Sequence, residues 1–368
     1  MILPACTAAP AQEMSQLAPR GLQVVLMSPV DAPELWRVVA DGGEAVQLTD
    51  TGGTVFDYAV SRDGQWIVYA AGNNQGGLDL WLLETISGKS KMLLECGAER
   101  CLEADWSADG ELLAFTRQGR RQSEVWTISR SSAQTQPLIA AGNLGASSPS
   151  WSPDGRWIAM VETQTGQIRI VDLQDGENIR LPSTLGLMGS WSPDGRQMIY
   201  LDMNAAELFA GVDLYLVDVE TRQIEPLLIS FGDEAEMIVD EDEEEHEEGE
   251  EHHDDERQTL SRDKMDAAVP VWHPTEALLL IAQRPLYGSY SKQLWLVSLT
   301  GNEPAIALTN DQNFAHAAYR WSPNGQMVVF QRFPLDAAGA APEVWVWNRE
   351  DGSLHLMAED AALPSWLP

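Results

Sequence analysis

Trp151-Ser-Pro-Asp-Gly155, running on into Arg156-Trp-Ile-Ala-Met-Val161, is the stretch from which the fold is read. Proline presets φ for a tight turn, and aspartate and glycine accept turn conformations that β-branched residues refuse. The alternating run after the turn reads as a strand, and Gln167-Ile-Arg-Ile-Val-Asp172 reads as another. Asp175-Gly176 is a hairpin signal, and Asn178 to Leu181 forms a last strand. With the strand ending at Trp151, these pieces make one four-stranded antiparallel unit.

The phrase returns as Ser61-Arg-Asp-Gly64, Trp106-Ser-Ala-Asp-Gly110, Trp191-Ser-Pro-Asp-Gly195, Trp272-His-Pro-Thr275 and Trp321-Ser-Pro-Asn-Gly325. A truncated copy, Pro364-Ser-Trp-Leu-Pro368, stands at the end. Most intervals are about 40 to 50 residues, the period of a propeller blade. Third strands read at Glu34–Val39, Asp79–Leu83, Glu124–Ile128, Ile168–Val171, Asp213–Val217, Gln293–Val297 and Glu343–Trp347. The count predicts an all-β, seven-bladed propeller of four-stranded antiparallel blades, with six blades as the fallback. The first repeat lacks an inner strand, and Leu363–Leu367 is an inner strand with nothing following it. The C-terminal strand is therefore expected to complete the N-terminal blade, which removes two exposed sheet edges.

These phrases resemble the PD40 (WD40-like) repeat of TolB-like propellers, over about residues 20–368. The copy at Trp272 departs from the pattern, with Thr275 and Glu276 where Asp and Gly stand elsewhere, and Val60 replaces the Trp before Ser61. The propeller also resembles the one attached to prolyl-oligopeptidase-type hydrolases. The expected organisation is a tether over residues 1–20 and a propeller over 21–368, interrupted by an insertion at about 231–267.

The chain carries 23 Lys and Arg against 56 Asp and Glu, a formal net charge of −33. That balance argues against nucleic acid as a partner, because a phosphate backbone needs a basic stripe, and against docking on an anionic membrane surface. The 14 Trp fall mostly at repeat positions, where packing between blades is the expected role. Leu3-Pro-Ala-Cys6 looks like a bacterial lipobox, so Cys6 is the expected lipidation site and Thr7 to Arg20 a tether. Cys96 and Cys101 sit in a short link between blades, where a stapling disulfide fits an oxidising compartment; two free thiols are the alternative.

In the insertion, 16 of the 24 residues from Asp233 to Glu256 are Asp or Glu. A run of this kind repels itself and lacks apolar anchors, so solvated loop is its plainest reading. His246, His252, His253, Asp254 and Asp255 offer imidazole and carboxylate donors for a weakly held divalent cation. No cofactor is otherwise expected.

Catalytic motifs are not found. Gly189-Ser-Trp-Ser-Pro193 has proline where a nucleophile elbow needs glycine, and Gly88-Lys-Ser90 lacks the upstream glycine of a phosphate loop. A ligand site, if built, belongs on loops at a channel mouth. There Arg117, Arg284, Tyr287 and Arg332 are the candidates, since guanidinium groups hold carboxylate or phosphate bidentately. The reading is a monomeric, non-catalytic, extracytoplasmic binding scaffold of the bacterial envelope, lipid-anchored at Cys6, with an envelope protein or peptide as partner, a basic one included. Its alternatives are a cation-binding envelope protein using the acidic loop, and a lyase or hydrolase with a channel-mouth site.

Overall fold

The computed structural model describes residues 21–40, 43–138, 145–203, 212–229, 265–285, 291–300, 303–335 and 339–368. The first blade holds β1 (Gln23–Ser28), β2 (Glu34–Val39) and β3 (Val46–Gln47). Next come β4 (Val55–Val60), β5 (Trp66–Gly72), β6 (Leu78–Glu84) and β7 (Lys89–Leu94), then β8 (Arg100–Trp106), β9 (Leu112–Gln118), β10 (Ser123–Ser129) and β11 (Thr135–Pro137). The central part continues with β12 (Ala146–Trp151), β13 (Trp157–Glu162), β14 (Ile168–Asp172) and β15 (Asn178–Leu181). It is followed by β16 (Ser190–Trp191), β17 (Gln197–Met203), β18 (Val212–Asp218) and β19 (Ile224–Pro226). The last part holds β20 (Met265–Ala267), β21 (Val271–Trp272), β22 (Leu278–Pro285), β23 (Gln293–Ser298) and β24 (Ile306–Ala307). It ends with β25 (Phe314–Trp321), β26 (Met327–Pro334), β27 (Glu343–Asn348), β28 (Leu354–Glu359) and β29 (Ala362–Leu367).

The all-β propeller class fits these sheets, but the blade count is corrected. Five sheets stand as individual blades: β29-β1-β2-β3, β12 to β15, β16 to β19, β20 to β24 and β25 to β28. Among the described residues the count is therefore five such blades, not the seven expected or the six kept as fallback. The remaining strands, β4 to β11, form one eight-stranded sheet. The two halves of this double sheet join where Leu78 of β6 pairs in parallel with Arg100 of β8. The cause is local: the link after β7 is pulled down onto the β5–β6 hairpin, so the Leu78 N–H reaches the Glu99 carbonyl at 3.1 Å. The chain ends share a blade, with Val24 opposite Trp366 in the β1–β29 ladder.

The repeated phrase builds the same turn each time. Ser107 Oγ donates to Asp109 at 2.6 Å and accepts the Leu112 N–H, while Asp109 accepts the Glu111 N–H. The hydroxyl bond holds the Asp109 carboxyl below its ordinary range. Serines 61, 152, 192 and 322 repeat the arrangement. The departure at Trp272 is compensated by chemistry: the His273 ring nitrogen accepts the N–H groups of Thr275 and Glu276 in place of a serine hydroxyl and a carboxylate.

Trp indoles then staple consecutive inner strands. Trp106 donates to the Ala59 carbonyl, Trp191 to Ser150, Trp272 to Ser190 and Trp366 to Arg320, at 3.0 to 3.3 Å. Apolar cores fill the spaces between neighbouring faces, as where Leu280 and Phe330 pack with Trp321. Burial of this kind contributes about 25 cal/mol per Å² of apolar surface.

Candidate functional site: an arginine-lined groove over a disulfide

The join within the double sheet is also where the chain is most heavily braced. Cys96 and Cys101 form a disulfide. The buried Asp79 carboxylate accepts the Cys96 N–H and an Asn73 amide proton, each at 2.8 Å, and the Asn73 amide also reaches the Gly97 carbonyl. Gly77 is needed beneath: a Cβ there would come within 2.2 Å of the carbonyls of Gly97 and Glu99. The link between the two halves is thus fixed by a covalent bond and a buried polar hub.

This link forms one wall of an open groove of about 710 Å³, and the β9–β10 hairpin forms the other. Antiparallel order places both on the mouth opposite the Ser-Pro-Asp-Gly turns. The Gly119 N–H bonds the Gln122 carbonyl at 3.0 Å, closing a tight hairpin with Arg120 and Arg121 at its tip. Both arginines are exposed. Among the described residues neither has an ion pair.

Arg117, one strand position inside, is engaged. Its Nε lies 2.5 Å from Glu99 Oε2, and its guanidinium sits 5.2 Å from the centre of the Trp126 ring. The groove's second carboxylate is engaged too, since Glu124 accepts from Gln122 Nε2 at 2.7 Å and from Trp126 Nε1 at 3.1 Å. The lining therefore presents three guanidiniums against two carboxylates that already hold partners.

The candidate arginines do not share one site in the described residues. Arg332 repeats the arrangement of Arg117 in another blade, where it is locked: Nε is 2.6 Å from Glu343 and the guanidinium lies 3.7 Å from Phe314 and 3.9 Å from Trp345. Beneath it His316 bonds the Lys292 carbonyl, and burial with Arg332 nearby pushes its imidazole down to about 4. Arg284 stands opposite Asp266 in the β20–β22 ladder and has a partner of its own. Tyr287, His246, His252, His253, Asp254, Asp255 and Cys6 lie outside the described residues. Among the described residues no group of three or more His, Cys, Asp or Glu is placed to hold a metal ion.

Of the groove's lining, only Arg117 is among the candidates the sequence offers; Glu99, Arg120, Arg121, Glu124 and Trp126 join it through the structure. A signal was present in the repeated Glu-Val-Trp at Glu124–Trp126 and Glu343–Trp345, whose glutamates face Arg117 and Arg332 in register.

A second feature was not legible. Inner strands β8, β12, β25 and β29 carry a left-handed residue three positions before the Trp: Glu103, Ser148, Ala318 and Leu363. Side chains secure three of these strained points, Gln331 Oε1 accepting the Leu363 N–H at 3.1 Å. Asp57 accepts the Glu103 N–H at 2.7 Å, and Glu103 accepts the Ser148 N–H at 2.9 Å. Asp105 similarly accepts the Trp151 N–H at 2.7 Å. Burial raises the carboxyls of Asp57 and Asp105 to about 6.

The fold is shared widely. TolB from Acinetobacter baumannii superposes with a TM-score of 0.53 at 13% identity, covering 94% of this chain and 67% of that one. A puromycin-hydrolyzing peptidase of Mycobacterium tuberculosis gives a TM-score of 0.60 at 14% identity, covering 98% of this chain but 56% of the peptidase. At such identity the likeness is one of fold alone. An uncharacterized protein of Agrobacterium fabrum is 25% identical over 218 residues, 55% of this chain and 72% of that protein. The family model for PD40, the TolB beta propeller domain, matches residues 47–237, more than half of the chain, and the protein belongs to that family.

Proposed function

We propose that the protein is an extracytoplasmic, non-catalytic scaffold that docks an envelope protein or peptide in the groove between the Cys96–Cys101 link and the β9–β10 hairpin. The observation that carries this reading is the disulfide-braced wall. A bridge of this kind persists in oxidising compartments, and it holds one side of a concave surface in place before a partner arrives. TolB-like architecture is compatible with such a role. A lipid on Cys6 would tether the propeller to a membrane, and the acidic insertion would repel an anionic lipid surface.

The test is in-cell photo-crosslinking from a probe placed at Gln122, beside the groove, and from one placed at Asp175, in the β14–β15 hairpin on the opposite mouth. A discrete partner captured from Gln122 and not from Asp175, with Cys96 and Cys101 oxidised in the same extract, supports the reading. Equal capture from both positions, or fully reduced thiols, overturns it.

A further inference from the structure

Resting on that reading, we infer that the groove takes a peptide segment bearing carboxylate side chains, with Arg120 and Arg121 as its anchors. In a chain of net charge −33, two adjacent exposed guanidiniums without an ion pair among the described residues make a local patch opposite in sign to the molecule as a whole, which attracts anionic groups. Their forked donors match a carboxylate bidentately, which an ammonium does not. Elsewhere on the mouths Arg156 pairs with Asp172 and Glu220, Arg349 with Glu276 and Arg130 with Glu111, while Arg62 and Arg196, also without an ion pair among the described residues, stand singly rather than as an adjacent pair.

The lining selects a peptide over a bare phosphate. A phosphate concentrates a charge of about −1.5 to −2 on one small centre, which would come close to the lining carboxylates Glu99 and Glu124. A peptide brings carboxylates for Arg120 and Arg121 and also backbone N–H donors that these two glutamates can accept. Ala98 and Gly119 are the small residues of the lining, and the half-buried Trp126 ring, with Arg117 over it, adds an aromatic surface. The volume of about 710 Å³ falls within the usual span of small-ligand and peptide sites. The partner surface expected here is thus acidic, opposite in sign to the basic partner that the acidic insertion suggests.

Fluorescence anisotropy with a labelled hexapeptide of alternating Asp and Tyr tests the inference on the full chain. Its Asn-for-Asp counterpart and inorganic phosphate serve as competitors. The expected result is saturable binding that R120A/R121A weakens by roughly tenfold or more, that rises as salt falls, and that R222A on the opposite mouth leaves unchanged. Both arginine substitutions lie at an exposed hairpin tip, and an unchanged thermal midpoint verifies the fold. R120E/R121E should in turn favour an alternating Lys and Tyr peptide. Equal binding of the Asp and Asn peptides, or phosphate displacing the peptide at equal concentration, overturns the acidic-peptide inference. A partner crosslinked from Gln122 whose capture is indifferent to R120A/R121A would leave the scaffold standing and this ligand class refuted.

Discussion

The double sheet β4–β11 and the blade β25–β28 carry the same trio of side chains and put it to different use. Each has an arginine late in its second strand, a glutamate opening the third strand and a tryptophan two residues on. In the blade the Arg332 side chain is 17% exposed, clasped by Glu343 and two aromatic rings. In the double sheet Arg117 is 37% exposed, its acid comes from the disulfide link, and a groove opens beside it. One trio closes a structure and the other lines a surface. The difference arises in the connections, because only the second trio faces a link stapled down by Cys96–Cys101 and a hairpin tipped by Arg120-Arg121.

The largest expected effect comes from breaking the closed trio. R332A should lower unfolding free energy by about 2–3 kcal/mol, since it leaves Glu343 with only the Trp345 indole and opens a gap between Phe314 and Trp345. R117A, removing a half-exposed pair, should cost below about 1 kcal/mol. Urea unfolding of both variants decides the matter, and equal losses would erase the distinction between the two regions.

The turns of the same two regions sharpen the contrast. Gly110 and Gly325 hold equivalent left-handed positions. A Cβ on Gly110 meets nothing within 4 Å, whereas one on Gly325 would fall 2.2 Å from His273 Nε2. G110A should therefore cost about 1 kcal/mol of backbone strain, and G325A about 1 kcal/mol beyond that through displacement of the histidine. Thermal midpoints read side by side would show it.

Next in size is the staple itself. C96S/C101S opens a short loop and should lose about 2 kcal/mol. The same substitution should reduce hexapeptide affinity, because the groove's wall loses its fixed position. R332A, by comparison, should leave affinity unchanged wherever the protein remains folded.

The smallest effect concerns pH. Asp57 and Asp105 belong to the double sheet, and burial raises both carboxyls to about 6, with Glu103 beside the first and Arg100 and Arg62 as nearby cations. Between the ordinary carboxylate range and about pH 6 the folded protein holds protons that the unfolded chain releases. These two groups thus favour folding at low pH, and that contribution is lost as pH rises through about 6. D57N/D105N should flatten this slope in unfolding curves taken between pH 4 and pH 8.

Much of the fold was readable because each repeat carries its turn chemistry in adjacent residues. Ser-Pro-Asp-Gly dictates a local hydrogen-bond pattern, and the alternating strands follow from it, so strand positions needed no long-range information. The merging of two strand sets was not readable. It depends on one parallel pair, Leu78 with Arg100, brought together by the buried Asp79 hub and the space above Gly77. Nor did spacing reveal that His273 replaces a serine and a carboxylate together. The candidate site was half legible: loop arginines could be listed from strand order, but which were committed and which were free depended on Glu99 and Glu343, partners set by packing across the sheet.

Hydrogen–deuterium exchange of the whole protein, with and without the Asp–Tyr hexapeptide, tests the central claim most directly. The account predicts slowed exchange at residues 97–100 and 118–124, with residues 332–343 and the Ser-Pro-Asp-Gly turns unchanged. Protection centred on the opposite mouth, or spread evenly over both arginine trios, would contradict it.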